Sequence, residues 1–389
     1  MALELRNTPP SSSRTLGEPS ERHQAMIDGC NEQLREPVTG VRTSNGVIEG
    51  LFPLVSTGLD LTSALVAQDR FICSLNADEI TSVRFPIDSD EWRRWSNIHR
   101  FLLRHGLLLD ELNSDQRELA LAIVSDVLSP GGLSESRGVM QLNETIQEIS
   151  ERFDQNGFPE FGEWMYWISL MGEASPTEPW GWQFDGHHLN INCFIVNDQI
   201  VVTPFFLGSE PLEADIGKYA GVKILDREER VALELIGALN DEQRDIAVVS
   251  ATMPPGLFTG AFRDNAVLDY EGISYGALSS EQQRRLLELI EVYVGRLRSD
   301  IAKIKMDEVR QHLGDTYFSW MGGTTTEDVF YYRVHSPVIL LEFDHEAGIV
   351  FQGAEPMKSH IHTMMRTPNG NDYGKDYLRQ HREQHPHHA

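Results

Sequence analysis

Four stretches of the chain place Leu before Asn or Ser, with Glu or Gln three positions later. They are Leu75-Asn76 to Glu79, Leu112-Asn113 to Gln116, Leu239-Asn240 to Gln243 and Leu278-Ser279 to Gln282. In such a box the Asn or Ser oxygen accepts an unpaired N–H of the first helical turn while the Glu or Gln reaches back. Each is therefore expected to open a helix. The apolar series Leu119, Leu121, Ile123, Val124, Val127, Leu128 follows Asn113 and stops at Pro130-Gly131-Gly132, and the helix after Asn240 is expected to stop near Pro254-Pro255-Gly256. The boxes are irregularly spaced, which predicts reuse of one capping chemistry rather than a solenoid of fixed period.

Two other blocks concentrate β-branched and aromatic residues. The first, from Trp164 to about Leu207, holds Met165-Tyr166-Trp167-Ile168-Ser169-Leu170, then Leu189 to Val196, then Ile200 to Phe206, with Asn197-Asp198-Gln199 as a hairpin turn between the last two. The second, from Thr316 to about Met364, holds Val329 to Val334 and Val338 to Phe343, meeting at Ser336-Pro337. A helical stretch from Glu228 to about His312 separates them. The pattern predicts an α+β fold: a mostly antiparallel sheet built from two strand-rich blocks and flanked by helices. Residues 1–20, with Asn7-Thr8-Pro9-Pro10-Ser11-Ser12-Ser13, bury too little apolar surface to offset ordering entropy and predict a flexible tail. Residues 21–389 are expected to form a single α+β catalytic domain.

Composition narrows the function. Hydrophobic residues make up 40% and charged residues 24%, as in an ordinary globular protein. Against 33 Lys and Arg stand 59 Asp and Glu, a net charge of −26, so a phosphate backbone would find no clustered basic surface and no nucleic-acid partner is expected. Three scattered cysteines, Cys30, Cys73 and Cys193, suggest neither a disulfide framework nor a thiolate metal site. No secretory leader or membrane span is evident, which predicts no membrane partner and a cytoplasmic location. Oligomeric state is open.

The chemistry concentrates in histidines. In His360-Ile361-His362 a strand would put both imidazoles on one face, as paired metal ligands require. His187-His188 follows the aromatic, glycine-rich run Trp180-Gly181-Trp182-Gln183-Phe184-Asp185-Gly186. On a regular strand the two would face opposite ways, with His188, Asn190 and Asn192 together, so either His188 alone is a ligand or a bulge at Gly186 lets both contribute. Glu342 interrupts the apolar run Val338-Ile339-Leu340-Leu341, and a buried carboxylate must be paired, protonated or metal-bound. It is expected to act as general base, or as a ligand or orienting group; an ion pair with Arg333 or Arg366 is the alternative. Asp344 and His345, at the strand end, are expected to be exposed. Arg366 to Asp376 is dense in turn residues, with Arg366 placed to hold a substrate carboxylate. Trp182, Asn190, Arg333, Asn371 and Lys375 are the expected substrate-binding residues. The terminal His381, His385, His387 and His388 suggest incidental metal affinity.

Gly106-Leu107-Leu108-Leu109-Asp110-Glu111-Leu112, Leu128-Ser129-Pro130, Pro179 to Leu189, Thr203-Pro204-Phe205-Phe206-Leu207-Gly208 and His360 to Gly374 with Leu378-Arg379-Gln380-His381 together resemble the family catalogued as domain of unknown function 3500. The resemblance covers roughly residues 60 to 385. It implies one unit in which the segments at Gly186 and His360 belong to a single pattern, and it supplies no reaction. The leading expectation is therefore a metalloenzyme for a small-molecule substrate, with His187, His188, His360 and His362 around a divalent ion (zinc, or iron or manganese). Its chemistry would be hydrolysis by metal-activated water, with Glu342 and Arg366 catalytic. The alternatives are an oxidoreductase using iron, manganese or copper on the same ligands, and a metal-free protein whose aromatic residues Trp180, Trp182 and Tyr166 line a binding pocket.

Overall fold

A computed structural model describes residues 21–97, 105–151, 161–348, 351, 353 and 355–385. The expected tail at 1–20 and the terminal His387 and His388 lie outside the described residues. Helices α1 (Glu21–Leu34), α2 (Thr62–Ser74) and α3 (Ala77–Val83) precede strands β1 (Arg84–Phe85) and β2 (Leu107–Leu108). Helices α4 (Ser114–Val127) and α5 (Pro130–Ser150) lead into β3 (Tyr166–Met171), β4 (Trp180–Gly186), β5 (Leu189–Val196), β6 (Gln199–Val201) and β7 (Phe205–Ser209). Then come α6 (Asp226–Ala238), α7 (Asp241–Ala247), β8 (Val248–Ser250), β9 (Ile273–Ser274), α8 (Ser280–Val294) and α9 (Ser299–Gln311). The described chain closes with β10 (Tyr317–Gly322), β11 (Phe330–His335), β12 (Leu340–Ala347), β13 (Pro356–Arg366) and α10 (Lys375–Gln384).

The four boxes form as predicted. Asn76, Asn113, Asn240 and Ser279 each accept the backbone N–H of the residue three positions on, and Glu79, Gln116, Gln243 and Gln282 reach back. Each cap contributes about 1 kcal/mol. Their pairing is more informative. Gln116 Nε2 bonds the Ser74 carbonyl and Glu79, and Gln282 Nε2 bonds the Ala238 carbonyl and Gln243. In each pair the second box braces the first.

The same duplication governs the sheet. Among the described residues thirteen strands form it, in the order β1-β3-β4-β5-β7-β13-β12-β11-β10-β8, with β2 on β3, β9 on β10 and β6 on β5. From either edge inward the architecture repeats: a strand parallel to its neighbour, a two-residue strand antiparallel to that neighbour, then a meander. The helices preceding each meander repeat as well, α2 to α5 in the first half and α6 to α9 in the second. The halves join where β7 pairs antiparallel with β13, with Phe205 opposite Met365 and Phe206 opposite Met364. Most neighbouring strands are antiparallel, as expected from alternating patterning. The expected helical stretch from Glu228 to His312 is interrupted by β8 and β9, the edge strands of the second half.

Two sequence expectations change locally. The strand expected through Phe206 breaks after Val201, because Pro204 has no N–H to give a ladder; β6 pairs β5 as a hairpin and β7 restarts at Phe205. His187-His188 does not begin a strand: it is the two-residue turn of the β4–β5 hairpin, closed by the Gly186–Leu189 pair, with His188 at φ 62°.

Helices cover one face of the sheet, with the Tyr293 hydroxyl of α8 2.7 Å from that of Tyr332 on β11. Irregular segments cover the other: Trp95 packs on Phe206 and lies beneath the Arg366 guanidinium, and the Phe258-Thr259 turn bonds Glu342. By strand alternation His360 and His362 belong to this second face.

Candidate metal centre

The β4–β5 turn and strand β13 bring three imidazoles to one point. His188 Nε2 lies 3.1 Å from His360 Nε2, which lies 3.0 Å from His362 Nε2. All three residues are buried, and each offers a ring nitrogen within 4.8 Å of the others, so the group could hold a metal ion. His360 and His362 meet because β13 is regular, as their spacing predicts. His188 reaches them because β7 seats the turn: the Gly208 N–H donates to the His188 carbonyl at 2.8 Å, and Gly208 is the partner of His362 across β7 and β13. A Cβ on Gly208 would stand 2.7 Å from His362 Cδ2 and 3.2 Å from His188 Cδ2. The glycine leaves the two rings room to approach. His188 sits in the left-handed region, which most non-glycine residues avoid and which is a form of strain found at functional sites.

The tautomer of His360 follows from its surroundings. Its Nδ1 is 2.8 Å from the Ala347 carbonyl, which can only accept, so Nδ1 carries the hydrogen and Nε2 presents its lone pair. Burial first, and the facing His362 ring second, push the His360 pKa down to about 3, so the ring is neutral. One lone pair thus faces two other ring nitrogens. A proton on either neighbour satisfies one contact; a cation satisfies all three.

The surrounding shell has the character of a metal ligand's support. The Glu210 carboxylate, fully buried, lies 3.8 Å from His360 Nδ1 and accepts the Phe351 N–H. His362 Nδ1 faces Glu346 Oε1 at 3.4 Å and Asp344 Oδ1 at 4.0 Å, and these three residues form a second group able to hold a metal ion. The ring of Phe206 packs edge-on against His362, with centroids 5.1 Å apart.

The predicted residues divide clearly. His187 is turned away from the point where the three Nε2 atoms meet. Its Nδ1 bonds the Asn143 side-chain oxygen at 2.9 Å, and its ring stacks between Phe161 and His188, 3.9 Å from the latter by centroid. Asn143 is in turn fixed by donating to the Gly162 carbonyl. The turn geometry, not a bulge at Gly186, separates the two histidines.

Glu342 is buried on the same face, but its carboxylate accepts the Phe258 and Thr259 N–H groups at 2.7 and 2.9 Å and the hydroxyls of Thr259 and Tyr331. It holds down a turn instead of joining the histidines, and no ion pair with Arg333 or Arg366 is among its described contacts. Arg366 is fully buried and bonds Asp264, Asp372 and the Thr259 and Gly260 carbonyls, so its guanidinium ties the Arg366–Gly374 loop to the sheet. Arg333 pairs with Glu271 at 2.6 Å. Trp182 is core, Asn190 belongs to an amide ladder with Asn192 and Gln183, and Asn371 accepts the Tyr377 N–H. Lys375 lies among Asp90, Asp88, Arg93 and Arg382, and burial lowers its pKa. None of these seven joins either group of residues able to hold a metal ion.

Asp344, Glu346, Glu210 and Asn143 were not expected at the site, and Asp344 and His345 are buried where exposure was expected. The signal for the acids was present: Glu342, Asp344 and Glu346 alternate along β12, the strand that β13 pairs with, and Asp344 is the partner of His362.

Among the described residues no helix is long and apolar enough to cross a membrane. No curated protein and no solved structure matches the chain. One family model matches residues 58–375, from the start of the first half through the loop behind β13, and thus spans both histidine segments. The chain belongs to the family described as Protein of unknown function (DUF3500).

Proposed function

We propose that this chain is a metal-dependent enzyme for a small molecule, a hydrolase that holds one divalent ion on Nε2 of His188, His360 and His362. The observation that carries the reading is the convergence of three ring nitrogens in a buried site, where the His360 lone pair faces both neighbours. Three protein ligands leave positions open for water and substrate, as catalytic sites do and closed structural sites do not. A bound ion of this kind lowers the pKa of its water to about 7 and polarises a substrate carbonyl or phosphoryl oxygen.

The chain's own residues supply the frame. Ala347 fixes the His360 tautomer, and His187, held by Asn143, stacks against His188 and sets its plane. His362 and Glu346 are the more accessible members of the site. With Glu342 bonded to the Phe258-Thr259 turn, the carboxylates beside the ring nitrogens are Glu210 at His360 and Asp344 and Glu346 at His362. The acidic charge favours a well-solvated surface and disfavours a nucleic-acid partner.

Metal analysis of protein purified without a nickel resin tests the reading. The wild type is expected to carry a stoichiometric divalent metal that the His360→Ala/His362→Ala double variant lacks. Equal, sub-stoichiometric metal in both overturns it. Oxygen consumption by the metal-loaded protein, without hydrolysis of ester, amide or phosphoester probes, would assign the same ligands to an oxidoreductase.

A further inference from the structure

Asp344 is a fully buried carboxylate whose polar neighbours include the Glu346 carboxylate, the His362 backbone N–H and, at 4.0 Å, His362 Nδ1, and none of these meets either oxygen at full hydrogen-bonding geometry. Buried carboxylates are normally paired or heavily hydrogen-bonded, because desolvating a bare charge costs several kcal/mol. The nearby charges aggravate the problem. Glu346 lies two residues further along the same strand, so a second carboxylate shares the space around the His362 ring. Among the described residues no lysine or arginine pairs with Asp344 or Glu346; the one basic group facing both is the Nδ1 side of His362.

Glu342 does not compensate, since two backbone N–H groups and two hydroxyls already occupy it. The Gly256 backbone closes over the same pocket, so close that a Cβ there would stand 2.9 Å from Glu346 Oε1. The result is a small group of two carboxylates and one imidazole nitrogen, with ligand atoms within 4.8 Å of one another and no lysine or arginine paired with them among the described residues.

We propose that Asp344, Glu346 and His362 Nδ1 form a second divalent-cation site, so that the His362 imidazole bridges two ions. The proposal rests on the three-histidine reading for the first ion. Two oxygens with one nitrogen suit manganese, iron or zinc. The ring would give up its remaining N–H hydrogen as a proton to solvent when both nitrogens coordinate, and the Asp344 and Glu346 carboxylates would act as ligands.

The experiment strips the full chain with a chelator, reloads it with Zn2+ alone, desalts it and counts retained zinc by plasma mass spectrometry. A His188→Ala/Asp344→Asn double variant gives the background from the terminal histidines. Above that background the wild type is expected to retain two ions, and Asp344→Asn, Glu346→Gln and His188→Ala one each. Glu346 is partly exposed, so Glu346→Gln keeps the test decisive if Asp344→Asn misfolds. A wild type holding one ion, kept in Asp344→Asn and Glu346→Gln and lost in His188→Ala, overturns the second site and leaves the first standing. One ion kept in His188→Ala and lost in both acid variants supports the acidic site and overturns the three-histidine reading. No retained zinc in the wild type overturns both.

Discussion

His188 and His360 meet Nε2 to Nε2 at 3.1 Å although 172 residues separate them, and they come from opposite halves of the duplicated sheet. The contact depends on β7 pairing with β13, which places Gly208 beside His362 and suspends the β4–β5 turn above it.

If those nitrogens hold an ion, chelation should lower stability by more when all three rings are present than when one is missing. A ligand at a thousand times its Kd stabilises by about 4 kcal/mol, so the wild type should lose several degrees of Tm on adding a strong chelator. The His188→Ala/Asp344→Asn variant, which lacks a ligand from each group, should show a chelator shift near zero. Differential scanning calorimetry with and without chelator checks this, and equal shifts in both proteins would contradict it.

Gly208→Ala should damage the site more than its size suggests. The added methyl meets the His362 and His188 rings and also the Ile361 carbonyl at 2.7 Å, so strand and rings must both shift. Overpacking of this kind costs about 1–3 kcal/mol, and displaced ligands should weaken metal binding by about 10- to 100-fold. Metal titration beside urea unfolding separates the two effects.

His187 is assigned a positioning role, which divides its substitutions. His187→Phe keeps a ring between Phe161 and His188 and should retain metal, whereas His187→Ala removes the stack and should lose about tenfold in affinity. Equal loss in both would instead make His187 a ligand.

Glu342→Gln should read as a structural lesion. The amide turns one acceptor into a donor against the Phe258 or Thr259 N–H, which should cost about 3 kcal/mol with metal content unchanged. Loss of metal at unchanged Tm would return Glu342 to the site.

His335 should contribute an acid-labile increment of stability. Burial, then the charge of Arg333, push its pKa down to about 3, with Asp269 weakly opposing. The folded value lies below the ordinary one, so protons bind the unfolded chain more tightly. The increment is therefore complete above pH 6.5 and is lost as pH falls toward 3, by at most about 1.4 kcal/mol per pH unit. His335→Phe should flatten the decline of the urea midpoint between pH 6.5 and 5; parallel curves would contradict it.

Helix starts were legible because a capping box is local: Asn113 and Gln116 need only each other. The duplication was not, although Asn76 and Asn113 are spaced almost as Asn240 and Ser279 are, because the matching halves share architecture with little residue identity. His360 and His362 were legible from strand alternation. The turn at His187-His188 was not, since neither residue carries the Asn-Gly or Gly signature of a two-residue hairpin loop. Glu342 and Glu346 look alike in sequence; only the Phe258-Thr259 turn, which claims the first, leaves the second beside His362.

If the three imidazoles hold an ion, the β7–β13 seam would make its capture a late event in the life of the chain. The half ending at Ser209 owns one of the three imidazoles and the half ending at Arg366 owns two, so a nascent or severed half has an incomplete ligand set. Two such fragments mixed together would register their docking as the appearance of a tightly held ion, which makes the metal a gauge of whether the halves have found each other.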